Sequence, residues 1–225
     1  MIETRDCWMR DQCAKASCPD FCPKLFRMDY LYSMSLLSDN QRKHINLRVD
    51  ADGTDMDAFK RLKYYQDNIE EFVNNGCNLY IHSKITGNGK SAWSIRLIQA
   101  YFNAIWYKTD LTCRALFINV PRFLLALKDN ISQKNDYVEH VKKYILTADL
   151  VVWDEIGIKA STTFEMENLL NYINARTECG KSNIYTSNMD SEELKALLGD
   201  RLYSRIVNLS EEVILYGQDK RGLKV

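Results

Sequence analysis

No stretch of the 225 residues approaches the roughly 20 consecutive apolar side chains of a membrane span. The opening MIETRDCWMRD is charged and lacks the apolar core of a secretory signal. A surplus of one charge is missing too, since 30 basic side chains balance 30 acidic ones. With no net field, any contact with nucleic acid or a membrane surface has to come from a local patch. Proline is scarce, three in all, and two of these, Pro19 and Pro23, lie near the N-terminus. Internal repeats and low-complexity tracts are absent. What remains has an ordinary core-forming composition, 46% hydrophobic and 27% charged, and the expected location is the cytoplasm. In that compartment thiols stay reduced.

Cysteine is distributed unevenly. Cys7, Cys13, Cys18 and Cys22 crowd the first 22 residues, whereas Cys77, Cys113 and Cys179 lie far apart and read as small buried hydrophobes. The first 25 residues are short on aliphatics and cannot fold on apolar burial alone. Four thiols in that span point to a thiolate Zn²⁺ site that would fold the head, although the spacing is not the usual pair of C-x2-C knuckles. An iron–sulfur cluster is the alternative ligand.

Residues 1–25 therefore form an expected cysteine-rich zinc head, 26–55 a helix and polar linker, and 56–225 a nucleotide-binding domain. In FRMDYLYSMSLLS, Phe26, Tyr30, Met34 and Leu37 recur at helical spacing, either to face a partner or to pack internally. Beyond residue 56, amphipathic patterns alternate with apolar runs. DAFKRLKYYQDNIEEFVNNG reads as one helix stopped by Gly76, and SEELKALLGDRLYSRI as another. CNLYIHS, CRALFINV, DLVVWDEIG, SNIYTSN and EEVILYG read as strands. The alternation predicts an α/β fold, a parallel sheet flanked by helices, with ligands beyond the strands' carboxyl ends.

Between the first strand and its following helix lies SKITGNGKS, which closes like a phosphate loop but has Lys84 where the opening glycine belongs. Thr86, Gly87, Asn88 and Gly89 would bring backbone N–H groups onto phosphate oxygens. Lys90 would supply charge to the β- and γ-phosphates, and Ser91 a hydroxyl to Mg²⁺. Lys84 sits farther from the ligand and is tolerable if its backbone angles are ordinary. In LVVWDEIG, Asp154 would join the Mg²⁺ shell and Glu155 would polarise the attacking water; solvated strand-end acids are the alternative. Asn188 is placed to touch the γ-phosphate or the water, or simply starts a turn. Arg201 and Arg205, four apart on one helical face, are either a solvated stripe or arginine fingers for a neighbouring subunit's nucleotide.

LYIHSKITGNGKS, LFINVPRFLLALK, LVVWDEIG, INARTECGKSNIYTSN and LGDRLYSRI…GQDKRG occur in the order found in helicase loaders of the DnaC/DnaI type. These are AAA+ ATPases also related to the IstB transposition proteins. The resemblance covers about residues 56 to 225, and with the cysteine-rich head the chain looks like phage-encoded loaders, which would place it in a bacterial host's cytoplasm. It implies an AAA+ P-loop ATPase using ATP and Mg²⁺. Gly87, Gly89, Lys90 and Ser91 would be Walker A, Asp154 and Glu155 Walker B, and Asn188 sensor 1. Arg205 would act in trans with Arg201 beside it, so that copies self-associate, and Arg221 matches a basic position of less defined role. Implied partners are single-stranded DNA and a hexameric DnaB-type replicative helicase of host or phage, held by the zinc head. Lys142, Lys143 and the Lys159 region are basic candidates for DNA. An IstB-like transposition ATPase and a catalytically weak, zinc-headed helicase binder are the alternatives. No C-terminal helical lid is expected after the last strand.

Overall fold

The computed structural model describes residues 7–9, 13, 21–43, 45, 47, 49–50, 52–108, 110–130, 133–157 and 162–220. Five parallel strands form one sheet: β1 (Asn78–His82), β2 (Ala115–Asn119), β3 (Leu150–Asp154), β4 (Ser182–Ser187) and β5 (Glu211–Ile214), in spatial order β2-β3-β4-β1-β5. Side chains alternate across the pleat, so β1 to β4 each feed two cores, while β5 adds Val213 to the first alone. Leu79, Ile81, Phe117, Val152 and Ile184 face one core; Tyr80, Leu116, Ile118, Val151, Trp153 and Tyr185 face the other. Both faces are covered, which is why the strands read as unbroken apolar runs.

The first core is closed by α1 (Pro23–Met34), α3 (Met56–Asp67), α4 (Ile69–Asn74) and α5 (Lys90–Ile105); the short α2 (Asp39–Arg42) contributes no buried side chain. The second is closed by α6 (Val120–Asp129), α7 (Asp136–Tyr144), α8 (Thr163–Glu178) and α9 (Ser191–Ile206). The five expected strands and the helices between them stand where the sequence places them.

Three local readings need correction. The single helix expected over 57–76 is two, because Asn68 leaves helical geometry (φ −113°, ψ 27°) while its side-chain amide bonds Tyr64 O at 2.9 Å. Asparagine competes in this way with the helix's own ladder. The last helix is kinked at Gly199 (φ 74°, ψ 166°), so Arg201 and Arg205 belong to its second half. Of the three isolated cysteines Cys113 is buried, but Cys77 and Cys179 are exposed.

At the N-terminal end, α1 starts at Pro23, and Cys22 Sγ accepts the Leu25 N–H at 3.5 Å as its cap. Met28, Leu31 and Tyr32 are fully buried, so this helix packs internally while Phe26 stays exposed. Trp8 lies edge-on to Tyr32 at 5.1 Å and donates Nε1 to Asp29 at 2.6 Å. Phe117 N–H donates to Ser35 O at 2.8 Å, so the chain after α1 covers the open edge of β2.

Candidate functional site

Strand register gathers the polar strand ends. Asn119 pairs with Asp154 across β2 and β3, and His82 with Ser187 across β1 and β4. The chain leaves β1 at Ser83, turns through Gly87 and Gly89 at φ 75° and 112°, and enters α5 at Lys90. Both glycines occupy the left-handed region that side chains avoid. Gly87 has a second constraint, since an added Cβ would fall 1.9 Å from Asp219 Oδ1.

The opening N–H groups of a helix have no carbonyl one turn back to bond, and they carry the positive end of its dipole. Here they face a cleft of about 360 Å³ lined by Thr86, Gly87, Gly89, Lys90, Ser91, Ala92, Glu155, Thr186, Ser187 and Asn188. Asn88 is buried beneath the loop, its amide donating to Ser83 Oγ at 2.6 Å and Leu215 O at 3.2 Å. Lys90 Nζ donates to Ile85 O at 2.9 Å, Ser83 O at 3.3 Å and Asn88 Oδ1 at 3.4 Å.

Across the cleft mouth, Ser91 Oγ donates to Asp154 Oδ1 at 2.7 Å, and Thr186 Oγ1 donates to the same oxygen at 2.7 Å. Burial pushes the Asp154 carboxyl above its ordinary range, against the pull of the Ser91 and Thr186 hydroxyls. A buried carboxylate beside a serine hydroxyl is a donor set suited to a hard divalent cation. Next in the chain, Glu155 adopts φ 62°, a costly value for a side chain of this kind. Its N–H donates to Thr186 Oγ1 at 2.9 Å, and its Oε2 accepts the Asn119 amide at 2.9 Å.

The structure thus brings together Thr86, Gly87, Gly89, Lys90, Ser91, Asp154, Glu155 and Asn188, with Asn88 supporting the loop from below. Lys84 points away from the cradle. Its side chain, 65% exposed, pairs with Asp190 at 2.9 Å and Glu193 at 3.2 Å at the start of α9, and its φ is not positive.

Arg201 and Arg205 are absent from the cleft's lining. Arg205 Nε donates to Asn174 Oδ1 on α8 and Nη1 to Arg201 O at 3.1 Å, so both sit on the α8–α9 side. Lys142 and Lys143 are exposed on α7, whereas the Lys159 region and Arg221 lie outside the described residues.

Among the described residues, no three His, Cys, Asp or Glu side chains are grouped to hold a metal ion. Cys22 is used as a helix cap, Cys7 packs against the first core and Cys13 is half-buried; Cys18, the remaining expected zinc ligand, lies outside the described residues. Asn119, Thr186 and the 215–220 segment escaped sequence reasoning. A polar residue ending an apolar strand, the signal that picked out Asp154, also marks Asn119 and Thr186.

No protein-family model matches the chain. It is 27% identical to the replicative helicase loader DnaC of Escherichia coli strain K12 over 161 residues, 72% of this chain and 61% of that protein. The match therefore spans less than two thirds of the loader. A crystal structure of the DnaC helicase loader superposes with a TM-score of 0.62 at 18% identity, covering 79% of this chain and 99% of that one. A replication initiator DnaA bound to AMPPCP and single-stranded DNA superposes with a TM-score of 0.54 at 16% identity, covering 83% of this chain and 50% of that one. The fold is shared with these helicase-loader and initiator structures. No helix among the described residues is long and apolar enough to cross a membrane.

Proposed function

We propose that this chain is an ATP-hydrolysing loader that delivers a replicative hexameric helicase to single-stranded DNA. The observation that carries the reading is the Ser91–Asp154–Thr186 contact at the mouth of the phosphate loop, within a fold shared with helicase loaders. The sequence similarity to DnaC supports the helicase as partner, and the DnaA neighbour bound to AMPPCP and single-stranded DNA supports both ligands.

In this mechanism the amides of 87–91 and Lys90 bind the triphosphate, Lys90 exchanging its loop carbonyls for phosphate oxygens. Ser91 and Asp154 would hold Mg²⁺, which would supply charge neutralisation for the triphosphate. Glu155, steadied by Asn119, accepts a proton from the water whose oxygen attacks the γ-phosphorus as the bond to the ADP oxygen breaks. Asn188 orients that water. Arg205, with Arg201 beside it, reaches the nucleotide of an adjoining copy and offsets charge in the transition state.

Calorimetry and turnover assays on the full chain, with single-stranded DNA and helicase, test the reading. Lys90→Ala is expected to abolish Mg·ATP uptake. Arg205→Ala should keep uptake and lose about 10³-fold in stimulated hydrolysis. Turnover unchanged in Arg205→Ala would overturn the trans assignment, and no uptake by the wild-type chain would overturn the whole proposal.

A further inference from the structure

Asp55 stands at the N-cap of α3, where an aspartate ordinarily accepts the helix's own N–H. It makes no such bond. Its carboxylate is buried and turns instead to the segment after β5, with Oδ1 accepting Tyr216 N–H at 2.6 Å and Oδ2 accepting Gly217 N–H at 2.9 Å. Asp50 Oδ2 accepts the next amide, Gln218 N–H, at 3.1 Å. Lys220 Nζ lies 3.5 Å from Asp50 and 3.7 Å from Asp55. Three consecutive N–H groups make a concave anion receptor, and here two carboxylates of the linker between α2 and α3 fill it.

The clamped segment also grips the phosphate loop at two points. Lys220 N–H donates to Gly87 O at 3.0 Å, and Leu215 O accepts the Asn88 amide at 3.2 Å. Because the Gly87–Asn88 peptide is trans, a carbonyl held toward the segment turns the Asn88 N–H the opposite way. The peptide plane on which phosphate recognition depends is thereby fixed from outside the loop.

We propose that Asp55, assisted by Asp50, is a positioning residue for the nucleotide. Through segment 215–220 it holds the Gly87–Asn88 peptide in its phosphate-binding orientation and couples the linker to nucleotide affinity. This rests on the nucleotide reading given above. Coupling is reciprocal, so bound nucleotide tightens the clamp just as the clamp tightens the nucleotide. The N-terminal segment, joined through that linker, then shares in the nucleotide's free energy.

Two variants break the clamp by different routes. Asp55→Asn keeps the shape but turns an amide donor toward a backbone donor. Gly217→Ala keeps every charge, yet its Cβ would fall 2.1 Å from Asp55 Oδ2 and 2.2 Å from Asp50 Oδ2 and push both aside. Each is expected to raise the Mg·ATP Kd of the full chain about tenfold, and the double variant should be no worse than the poorer single one. Non-additive losses mark a single clamp, whereas a merely structural role would lower the melting temperature and leave the Kd of the folded protein unchanged. Hydrogen exchange supplies a second readout, in which Mg·ATP should raise protection of the 216–218 amides in the wild type and not in the variants. Wild-type affinity in both variants, additive losses, or nucleotide-independent protection would each overturn the inference. No uptake by the wild-type chain overturns the nucleotide reading with it, whereas loss of uptake confined to Lys90→Ala overturns the inference alone.

Discussion

The two ends of this sheet are built on opposite principles. At the amino ends, Arg176 is fully buried, yet all its donors are placed. Nε meets Asn183 Oδ1 at 2.7 Å, Nη1 meets Ile145 O at 2.6 Å and Ala148 O at 2.8 Å, and Nη2 meets Ser182 O at 2.6 Å and Asp149 O at 3.4 Å. Asp149 in turn collects Lys181, Arg114 and Tyr101 at 2.9, 2.7 and 3.0 Å. At the carboxyl ends, Asp154 is buried with its pKa raised, Glu155 sits in a strained backbone well, and a cleft opens beside both. A cluster built on a guanidinium whose every donor is placed contributes to fold stability, even with the neighbouring Arg114 Nε left without a partner. One left strained and imperfectly solvated is poised to take up something from outside.

The comparison breaks most readily at Arg176. Burial lowers its pKa to about 10, still well above neutrality, so it remains charged. Arg176→Met would keep much of the volume and strip hydrogen bonds from buried carbonyls of Ile145, Ala148 and Ser182. Removing one member of such a network costs about 3–5 kcal/mol. Denaturant unfolding should register that loss, while Mg·ATP affinity, measured where the variant is folded, should stay at the wild-type value. A variant that kept its stability and lost nucleotide would erase the distinction between the two ends.

Much of this contrast was legible in the residues, and unequally so. Strands and helices followed from period, and Gly87, Lys90, Ser91, Asp154 and Glu155 from local motif and order along the chain. The Arg176 network was invisible because its acceptors, Asn183 Oδ1 apart, are backbone carbonyls of two segments, 145–149 and 182, and no side-chain pattern encodes those. The Asp55 clamp was hidden for the same reason, its partners being amides about 160 residues away. At the N-terminus the reading rested on counting thiols. The expected boundary at residue 25 falls inside α1, because Met28, Leu31 and Tyr32 recur at a spacing that buries them against Phe102 and its neighbours.

A smaller effect sharpens the carboxyl end. Burial is the main reason the Asp154 carboxyl sits above its ordinary value of 3.8. A folded-state pKa raised above the unfolded one means that the native protein holds this proton more tightly. The stabilisation is complete below the unfolded value and disappears as pH rises through the folded one. Asp154→Asn removes the ionisation and can still accept from Ser91 and Thr186. In the absence of nucleotide and Mg²⁺ it should be more stable at neutral pH by about 0.5–2 kcal/mol, with a flatter stability–pH profile between acid and neutral pH. Hydrolysis should be lost. Melting curves at both pH values check this, and a variant less stable than wild type would show that Asp154 belongs with the satisfied groups.

The smallest effect concerns Lys84, the residue that most obviously departs from a phosphate loop. Its ammonium is held charged first by the hydrogen bond to Asp190 and then by Glu193. Asp190 also caps α9 through Oδ1, which accepts Glu193 N–H at 2.9 Å, so the helix keeps its cap without the lysine. Exposed ion pairs of this kind are screened and contribute little. Lys84→Ala and Lys84→Gly should each leave Mg·ATP affinity within about threefold of wild type, because the side chain lies outside the cradle and its backbone needs no glycine. A tenfold or larger gain in Lys84→Gly would mean that the lysine obstructs phosphate binding, and the loop's tolerance for it would need another explanation.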